Sequence, residues 1–423
     1  MWLSSCLKNW RRLASSGRRH SPRRRRPDYG PPIEALECRT LLTAYAAATA
    51  AQLIADINAA NKAGGTNTIT LTAPSTSPYV LSAIDNTTYG QSALPVIKRG
   101  DNLTIVTGNG SPNAAFGDVI DAGGHGRLFA VASGGSLTLR NVTLQNGNVL
   151  GSGVSADGGA IYNQGTLVLS SVMVQGNTAA GFPGSILYHN KPLGAGQDAA
   201  GGGIWSNGSL TVENGTVLQD NTALGGDGGR TQAETGFGGK AFGGGIYIAG
   251  GTATISDTTL GAYTTQFGNK AQGGTGYNTS ANGGGAAFGG AVYIAAGTVT
   301  MSGDTVGSAD YPLNQETSNL AQGGAEPPGI FGTGNAYGGG IYVAGGSVTL
   351  TNDIIEGNVA GTGYNGGTFF EYIDGYGGGI FIGSGATVSI DSFTVANTID
   401  NSDSSGINFG TTANIGGTYV LLP

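Results

Sequence analysis

The sequence predicts an all-β protein, a single-stranded right-handed parallel β-helix (a solenoid) with a short N-terminal capping helix and Gly-rich loops on one face. Three observations lead to this prediction. A phrase of the type Gly-Gly-Gly-Ile-Tyr recurs six times, glycine supplies 80 of 423 residues without an every-third-residue spacing, and an asparagine closes each copy. Repeats of about 40 residues are typical of solenoids, in which stacked copies share one core.

One aliphatic residue after the glycines marks each repeat. Successive marks are 43, 42, 46, 49 and 39 residues apart, at Ile161, Ile204, Ile246, Val292, Ile341 and Ile380. In the copy at Gly338, the runs 341–343, 347–350 and 353–355 read as three short strands separated by turn residues. Parallel stacking of such rungs gives a β-helix, and parallel crossovers are right-handed. Alternation places five residues in the core: Ile341, Val343, Val348, Leu350 and Ile355.

The chain divides into a leader and a body. Residues 1–44 read as a basic, disordered export segment, because repeated arginines are followed by a short apolar step and Ala-x-Ala sites. A basic arm touching anionic lipid or nucleic acid is the alternative. The body is expected to comprise an N-terminal cap at 45–67 with a helix at 51–63, initial rungs at 68–157, six repeats at 158–401 and a C-terminal cap at 402–423.

Charge and composition exclude several classes of function. The leader holds ten basic and three acidic residues, which leaves nine basic and 23 acidic residues in 45–423. Phosphate recognition needs clustered cations, so nucleic-acid binding by the body is disfavoured. No run of apolar residues is long enough for a transmembrane segment. Both cysteines, Cys6 and Cys38, lie in the leader, so the body has no disulfide.

Two polar columns are expected at turns. The first is a ladder of stacked amides that bond along the rod, with ligand binding as the alternative, at Asn177, Asn221, Asn269, Asn319, Asn358 and Asn397. The second contains Asp257, Asp304, Asp353 and Asp391, whose carboxylates are expected to accept backbone N–H bonds. The alternative for this second column is Ca²⁺, which prefers several oxygen ligands and is the one cofactor that the sequence suggests.

Aromatic residues form the candidate binding site. The residue after each core aliphatic is Tyr162, Trp205, Tyr247, Tyr293, Tyr342 or Phe381, and a second column just before the glycines contains Phe242, Phe288, Tyr337 and Tyr376. Stacked rings stabilise one another, which is the structural interpretation. A platform for sugar rings or for a partner surface is the functional one. The long Gly-rich insertions leave from the same turn of each repeat, so they lie on one face beside these columns.

The repeats resemble the right-handed β-helix proteins of the pectin-lyase-like superfamily, and in particular the GGGIY…GTLTL…N-T-A repeats of polymorphic outer membrane proteins and autotransporter passengers. The leader segment Leu36-Glu37-x-Arg39-x-Leu41-Leu42 is similar to the LEPR-XLL leader of large secreted bacterial proteins, with Cys38 where that family usually has proline. The resemblance implies a secreted or cell-surface bacterial protein.

Two functions follow from this resemblance. The first is a non-catalytic protein for adhesion or for matrix or glycan contact, whose partner is a polysaccharide or another cell-surface component, and which has no catalytic residues. The alternative is a polysaccharide lyase or glycoside hydrolase, for which the resemblance implies a basic residue or close carboxylates. Arg230, Lys240 and Lys270 lie in or beside the loops as candidate bases. Hydrolysis would need two carboxylates at a defined separation.

Overall fold

The protein is all-β and built from parallel sheets. A computed structural model describes residues 43–74, 76–108, 116–151, 156–184, 194–229, 236–262, 268–277, 283–308, 318–325, 334–361, 375–403 and 414–423. Residues 1–42 of the predicted leader lie outside this described part of the chain. Strands dominate the described residues, and every pairing between the named strands is parallel.

The strands of the described residues form four sheets. Sheet 1 contains Thr43–Ala47, Gly65–Leu71, Asp101–Thr107, Phe129–Val131, Ser136–Arg140, Ile161–Asn163, Thr166–Ser170, Ile204–Ser206, Ser209–Glu213, Ile246–Ile248, Thr252–Ser256, Val292–Ile294, Thr298–Ser302, Ile341–Thr351, Ile380–Ile390, Ile415–Gly416 and Val420–Leu421. Sheet 2 contains Tyr79–Val80, Asp118–Asp121, Val142–Gln145, Met173–Gln175, Val217–Gln219, Thr259–Leu260, Thr305–Gly307, Ile354–Glu356 and Thr398–Ile399.

Two smaller sheets complete each rung. Sheet 3 contains Asn148–Leu150, Thr178–Ala180, Thr222–Leu224, Lys270–Gln272, Leu320–Gln322, Val359–Gly361 and Ser402–Asp403. Sheet 4 contains Ala156–Asp157, Ala199–Ala200, Ala241–Phe242, Ala287–Phe288, Ala336–Tyr337 and Gly375–Tyr376. Each full rung thus visits sheets 4, 1, 2 and 3 in turn and pairs in register with the next rung, an arrangement consistent with a parallel β-helix.

The main core lies inside sheets 1 and 2 and confirms the predicted inward positions. Ile341, Val343, Leu350 and Ile355 are fully buried, and Val348 is 1% exposed. The six marker aliphatics of the repeats are all fully buried as well. Their alternation with half-exposed neighbours is the period-two pattern of a strand with one buried face.

A second core explains why the sequence predicts three strands per rung, whereas each full rung of the structure has strands in four sheets. It consists of Val149 and ten alanines, one from every strand of sheets 3 and 4 except Ser402–Asp403 and Gly375–Tyr376, and all eleven are buried. Alanine gives little hydrophobic signal, so the sequence does not indicate strands at the Asn-x-Ala segments or at the residue pairs before the glycines. In the structure they are short strands that approach closely because their inward side chains are small.

Two helices lie near the ends of the described chain. Helix α1, Ala50–Ala63, confirms the predicted helix and buries Leu53, Ile57 and Ala60 against the core. The Thr49 side chain caps its first turn by accepting a hydrogen bond from the N–H of Gln52. The strand Thr43–Ala47 precedes it and spans the predicted end of the leader at residue 44. Helix α2, Ser392–Ala396, lies in the last full rung, where Asp391 caps it.

Candidate functional site

The six aromatic residues of sheet 1 form one continuous stack. In-register pairing of the strands places Tyr247 beside Tyr293 and Tyr293 beside Tyr342. Ring centroids along the stack are 4.5, 6.4, 5.0, 5.2 and 5.5 Å apart, in the order Tyr162, Trp205, Tyr247, Tyr293, Tyr342 and Phe381. Interplanar angles of 4–6° show that the rings lie nearly parallel. The sequence prediction of an aromatic column is confirmed in its geometry.

The second column packs against the first. Phe242, Phe288, Tyr337 and Tyr376 stack at 5.2–5.3 Å. Phe288 meets Tyr342 edge to face at 5.1 Å, and Tyr337 meets Phe381 in the same way at 5.2 Å. We call the ten residues of the two columns the aromatic ribbon. Its rings are half-buried, except that Tyr376 is 40% exposed. Ring faces mostly cover one another, so the ribbon presents chiefly ring edges and hydroxyls to solvent.

The ribbon is anchored at one end by a buried arginine. Tyr89 continues the first column by stacking on Tyr162 at 5.4 Å. The guanidinium carbon of Arg127 lies 5.2 Å from the centroid of the Tyr162 ring, a cation–π contact. Arg127 donates to the backbone carbonyls of Tyr89, Asp157 and Gly158. Burial lowers the pKa of Arg127 to about 10 and raises the pKa of Asp157 to about 6.

The predicted asparagine ladder is present, with one correction. Each Nδ2 donates to the Oδ1 of the next asparagine at 2.8–3.2 Å, through Asn177, Asn221, Asn269, Asn319, Asn358 and Asn401. Asn397 is therefore wrong as the last member. Helix α2 inserts before this turn, so Asn397 instead ends the helix and donates to the carbonyl of Phe393. The ladder position passes to Asn401, which is 2% exposed.

The four aspartates do not form one column. Asp304 and Asp353 are buried on adjacent rungs, where the N–H of Thr258 donates to Asp304 Oδ1 and the N–H of Asp304 donates to Asp353 Oδ1, both at 2.9 Å. Asp257 is exposed one residue before Thr258, and Asp391 accepts from the backbone of Asn352 and Thr394. The equivalent buried positions in those two rungs are threonines, Thr258 and Thr394.

Burial governs the ionisation of the two inner aspartates. It raises the pKa of Asp304 to about 8, with a further contribution from the neighbouring Asp353 carboxyl. It raises the pKa of Asp353 to about 7 for the same leading reason. Both carboxyls are 1% exposed or less and hold backbone amides. Within the described residues, no three His, Cys, Asp or Glu side chains come together as a metal-binding group.

The bases of the loops are packed glycine layers, which sequence reasoning missed. Successive N–H groups donate across the layers, from Gly239 to the carbonyl of Gly226, from Gly274 to Gly239 and from Gly285 to Gly274, at 2.8–2.9 Å. A Cβ atom on Gly274 would overlap the carbonyl oxygen of Gly226. Glycine is required there because only backbone fits between the layers. The signal was present in the sequence as Gly-Gly pairs at both ends of the loops 224–242 and 272–288 and at the start of the loop 322–337.

A second amide ladder was also missed. In sheet 2, Gln219 Nε2 donates to Gln175 Oε1 and Gln175 Nε2 donates to Gln145 Oε1, both at 3.1 Å. Gln145 Nε2 then donates to Asp121 Oδ2 at 2.8 Å, so the ladder ends on a carboxylate. Each glutamine stands two residues before a Gly or Asn of the asparagine turn, a spacing that could have revealed the ladder from sequence.

The candidate bases of the enzyme alternative are dispersed. Lys240 is exposed beside a glycine layer, where its backbone N–H donates to Asp198 Oδ1 at 2.7 Å. Lys270 starts a strand of sheet 3 and is half-buried, which lowers the pKa of its amine. Arg230 lies outside the described residues.

The comparisons add no relative to this geometry. No family model matches the chain, and no curated protein or solved structure is significantly similar to it. In the described part of the chain, neither helix has the length and apolar character that a membrane crossing requires.

Proposed function

We propose that this chain is a secreted or cell-surface bacterial protein, folded as a single right-handed parallel β-helix, that attaches to polysaccharide without catalysing a reaction. The aromatic ribbon is the observation that carries the proposal. It is a half-exposed strip that continues over six rungs with one ring of the first column per rung. Contiguous apolar strips on a protein surface usually mark interaction sites. Right-handedness is supported by the strong preference of parallel crossovers for that hand.

A polymer suits the ribbon better than a small molecule does. The rings offer edges and hydroxyls at a near-constant spacing of about one rung, so a chain lying along the rod repeats the same contact. The hydroxyls of Tyr293 and Tyr342 are protonated donors at neutral pH, since the ordinary pKa of a tyrosine is about 10 and burial raises the pKa of both further. Sugar hydroxyls can accept from such donors.

The glycine layers support the same proposal. They hydrogen-bond the bases of the loops to one another and to the neighbouring rungs, as from Gly225 to the carbonyl of Gln272 and from Gly273 to Gln322. The layers adjoin the second aromatic column, since Lys240 is followed directly by the strand Ala241–Phe242. Binding residues are commonly carried on loops that a rigid scaffold positions.

The enzyme alternative has weaker support. Asp304 and Asp353, on adjacent rungs, are enclosed within those rungs and bound to backbone amides. A catalytic carboxylate must reach its substrate within hydrogen-bond distance. Neither carboxyl meets that condition in this fold.

A glycan array probed with the full chain tests the proposal. We expect binding to one or more polysaccharides, reduced by about tenfold or more in a Tyr293→Thr, Tyr342→Thr double variant, since the two lost tyrosine hydroxyls each remove a hydrogen bond worth about 0.5–1.5 kcal/mol. Phe393→Ser is the control, because Phe393 is 45% exposed and lies outside the ribbon. Equal binding by both variants would contradict polysaccharide binding by the ribbon. Release of oligosaccharides from a bound polymer would favour the lyase or hydrolase alternative.

A further inference from the structure

A shallow, open polar cleft lies in the initial rungs, on the outside of the turn between sheets 2 and 3. Its volume is about 510 Å³, and it is lined by Val80, Asp121, Asn146, Asn148, Thr178 and four glycines. Small-molecule sites are typically clefts of about 300–1,000 Å³ with a few convergent polar groups. The cleft is distinct from the aromatic ribbon, which occupies the outer faces of sheets 1 and 4.

The Asp121 carboxylate in this cleft is held rigidly by three donors. The backbone N–H of Gly123 donates to Oδ1 at 2.7 Å, while Gln145 Nε2 and Asn146 Nδ2 each donate to Oδ2 at 2.8 Å. The glutamine ladder behind it fixes the direction of the Gln145 amide. A carboxylate has about four acceptor sites, so roughly one remains for a ligand.

The other polar groups of the cleft belong to adjacent strands of sheet 3. Asn148 and Thr178 are partners in register, which places their side chains side by side. Asn148 is exposed and Thr178 is half-exposed. The Asn146 backbone adopts a left-handed conformation, with φ of 56°, that turns its amide toward Asp121. Val80, which is 52% exposed, adds one apolar wall.

We infer that this cleft binds an uncharged saccharide of one or two sugar units. A sugar hydroxyl can donate to the remaining acceptor site of Asp121, and others can pair with the Asn148 amide and the Thr178 hydroxyl. The apolar face of the sugar ring packs on Val80. A fixed carboxylate, amides and a hydroxyl together match a ligand that is rich in hydroxyls and carries no charge.

Charged ligands fit the cleft poorly. The lining residues include no basic side chain, and the acidic residue repels a uronic acid or a phosphate. A metal ion such as Ca²⁺ needs free oxygens, whereas N–H donors occupy both oxygens of Asp121. An amino sugar has one carboxylate among the lining residues to pair with, but three N–H donors already occupy most acceptor sites of Asp121, so about one remains for an ammonium group that needs several acceptors.

Calorimetric titration of the full chain tests this inference. The probes are the methyl glycosides of glucose, galactose, mannose and N-acetylglucosamine, with glucuronate and glucosamine as charged comparisons. We expect one neutral glycoside to bind more tightly than both charged sugars. Asn148→Ala and Thr178→Ala should each weaken its binding about threefold to tenfold, as expected for loss of one neutral hydrogen bond.

Thr222→Ala is the matched control, because Thr222 holds the position of Thr178 one rung further along sheet 3 and is not a lining residue. Asp121→Asn should abolish binding, with the melting temperature recorded to detect any loss of fold. Four results would each overturn the inference: no neutral glycoside binds, a charged sugar binds as tightly, Asn148→Ala and Thr178→Ala leave binding unchanged, or Thr222→Ala weakens it equally. The Tyr293→Thr, Tyr342→Thr variant should retain cleft binding, so failure of the ribbon and failure of the cleft are separable.

Discussion

Buried amides supply much of the specificity of the rungs at the scale of single residues. Asn221 Nδ2 lies within hydrogen-bond distance of the Val174 and Gln219 carbonyls as well as of Asn269 Oδ1, at 2.8–2.9 Å. Its own Oδ1 accepts from the backbone and the side chain of Asn177. Such a group is costly to remove, because each buried partner left unpaired loses about 1–3 kcal/mol.

Asn221→Ala is therefore expected to lower the free energy of unfolding by about 2–4 kcal/mol, since several buried partners lose their bonds at once. Chemical denaturation followed by circular dichroism measures this change. Asn397→Ala is the control, because Asn397 bonds within helix α2 and lies outside the ladder. If the two variants were equally stable, the ladder would not contribute as the geometry indicates.

The two buried aspartates make the protein less stable as pH rises from about 4 to about 8. Their pKa values, about 8 for Asp304 and about 7 for Asp353, exceed the value of 3.8 for an exposed aspartate. The folded state thus keeps protons that the unfolded state releases. Stability from these groups is complete below about pH 4 and is lost as pH rises through the folded pKa values.

Asp353→Asn should remove the part of this pH dependence that comes from Asp353 and reduce the part that comes from Asp304. The amide cannot ionise, its Oδ1 can still accept from the N–H of Asp304, and the pKa of Asp304 should fall when the neighbouring charge is removed. We expect stability at pH 8 to increase by about 1–3 kcal/mol and stability near pH 4 to change little. Thermal melts from pH 4 to pH 9 measure this pH dependence of stability. Asp257→Asn is the control, because Asp257 is exposed. An unchanged slope in Asp353→Asn would contradict the assignment.

At the scale of elements, the sequence predicts those strands whose apolar residues alternate with polar ones. The alternation around Ile341 gives the strands of sheets 1 and 2 and the inward side chains correctly. The strands of sheets 3 and 4 were not predicted, because alanine and glycine carry little periodic signal. The last ladder position is Asn401 and not Asn397, because helix α2 shifts it by four residues. The predicted aspartate column is also out of register, because the residue beside Asp304 on the neighbouring rung is Thr258 and not Asp257.

Glycine layers make the loop bases sensitive to a single methyl group. Gly274→Ala is expected to destabilise the protein by about 1–3 kcal/mol, as overpacking in a tight interior does, because the added Cβ overlaps the Gly226 carbonyl. Cleavage of the neighbouring loops by protease should accelerate. Gly361→Ala is the control, since its Cβ would lie 3.7 Å from Leu320 Cδ1, an ordinary contact. Similar melting temperatures and cleavage rates for both variants would argue against close-packed layers.

At the scale of the whole molecule, each rung contacts mainly its two neighbours. The aromatic, asparagine and glycine contacts all run from one rung to the next. In such quasi-one-dimensional proteins, stability is approximately a sum over repeats and the interfaces between them. The number of rungs is then adjustable, provided that every sheet keeps its register.

Deletion of residues 246–291 tests this property, because it joins Gly245 to Val292 and removes one complete rung. Val292 replaces Ile246 in register beside Ile204, and Asn319 comes to follow Asn221 in the ladder. We expect a folded all-β protein, shorter by about 4.8 Å in small-angle scattering. Its affinity for a polysaccharide bound by the ribbon should fall, since each column loses one ring. A deletion one residue longer, 246–292, places Tyr293 at the core position and should not fold, because a one-residue slip exchanges the two faces of a strand. Equal folding of both deletions would show that register does not specify the rungs.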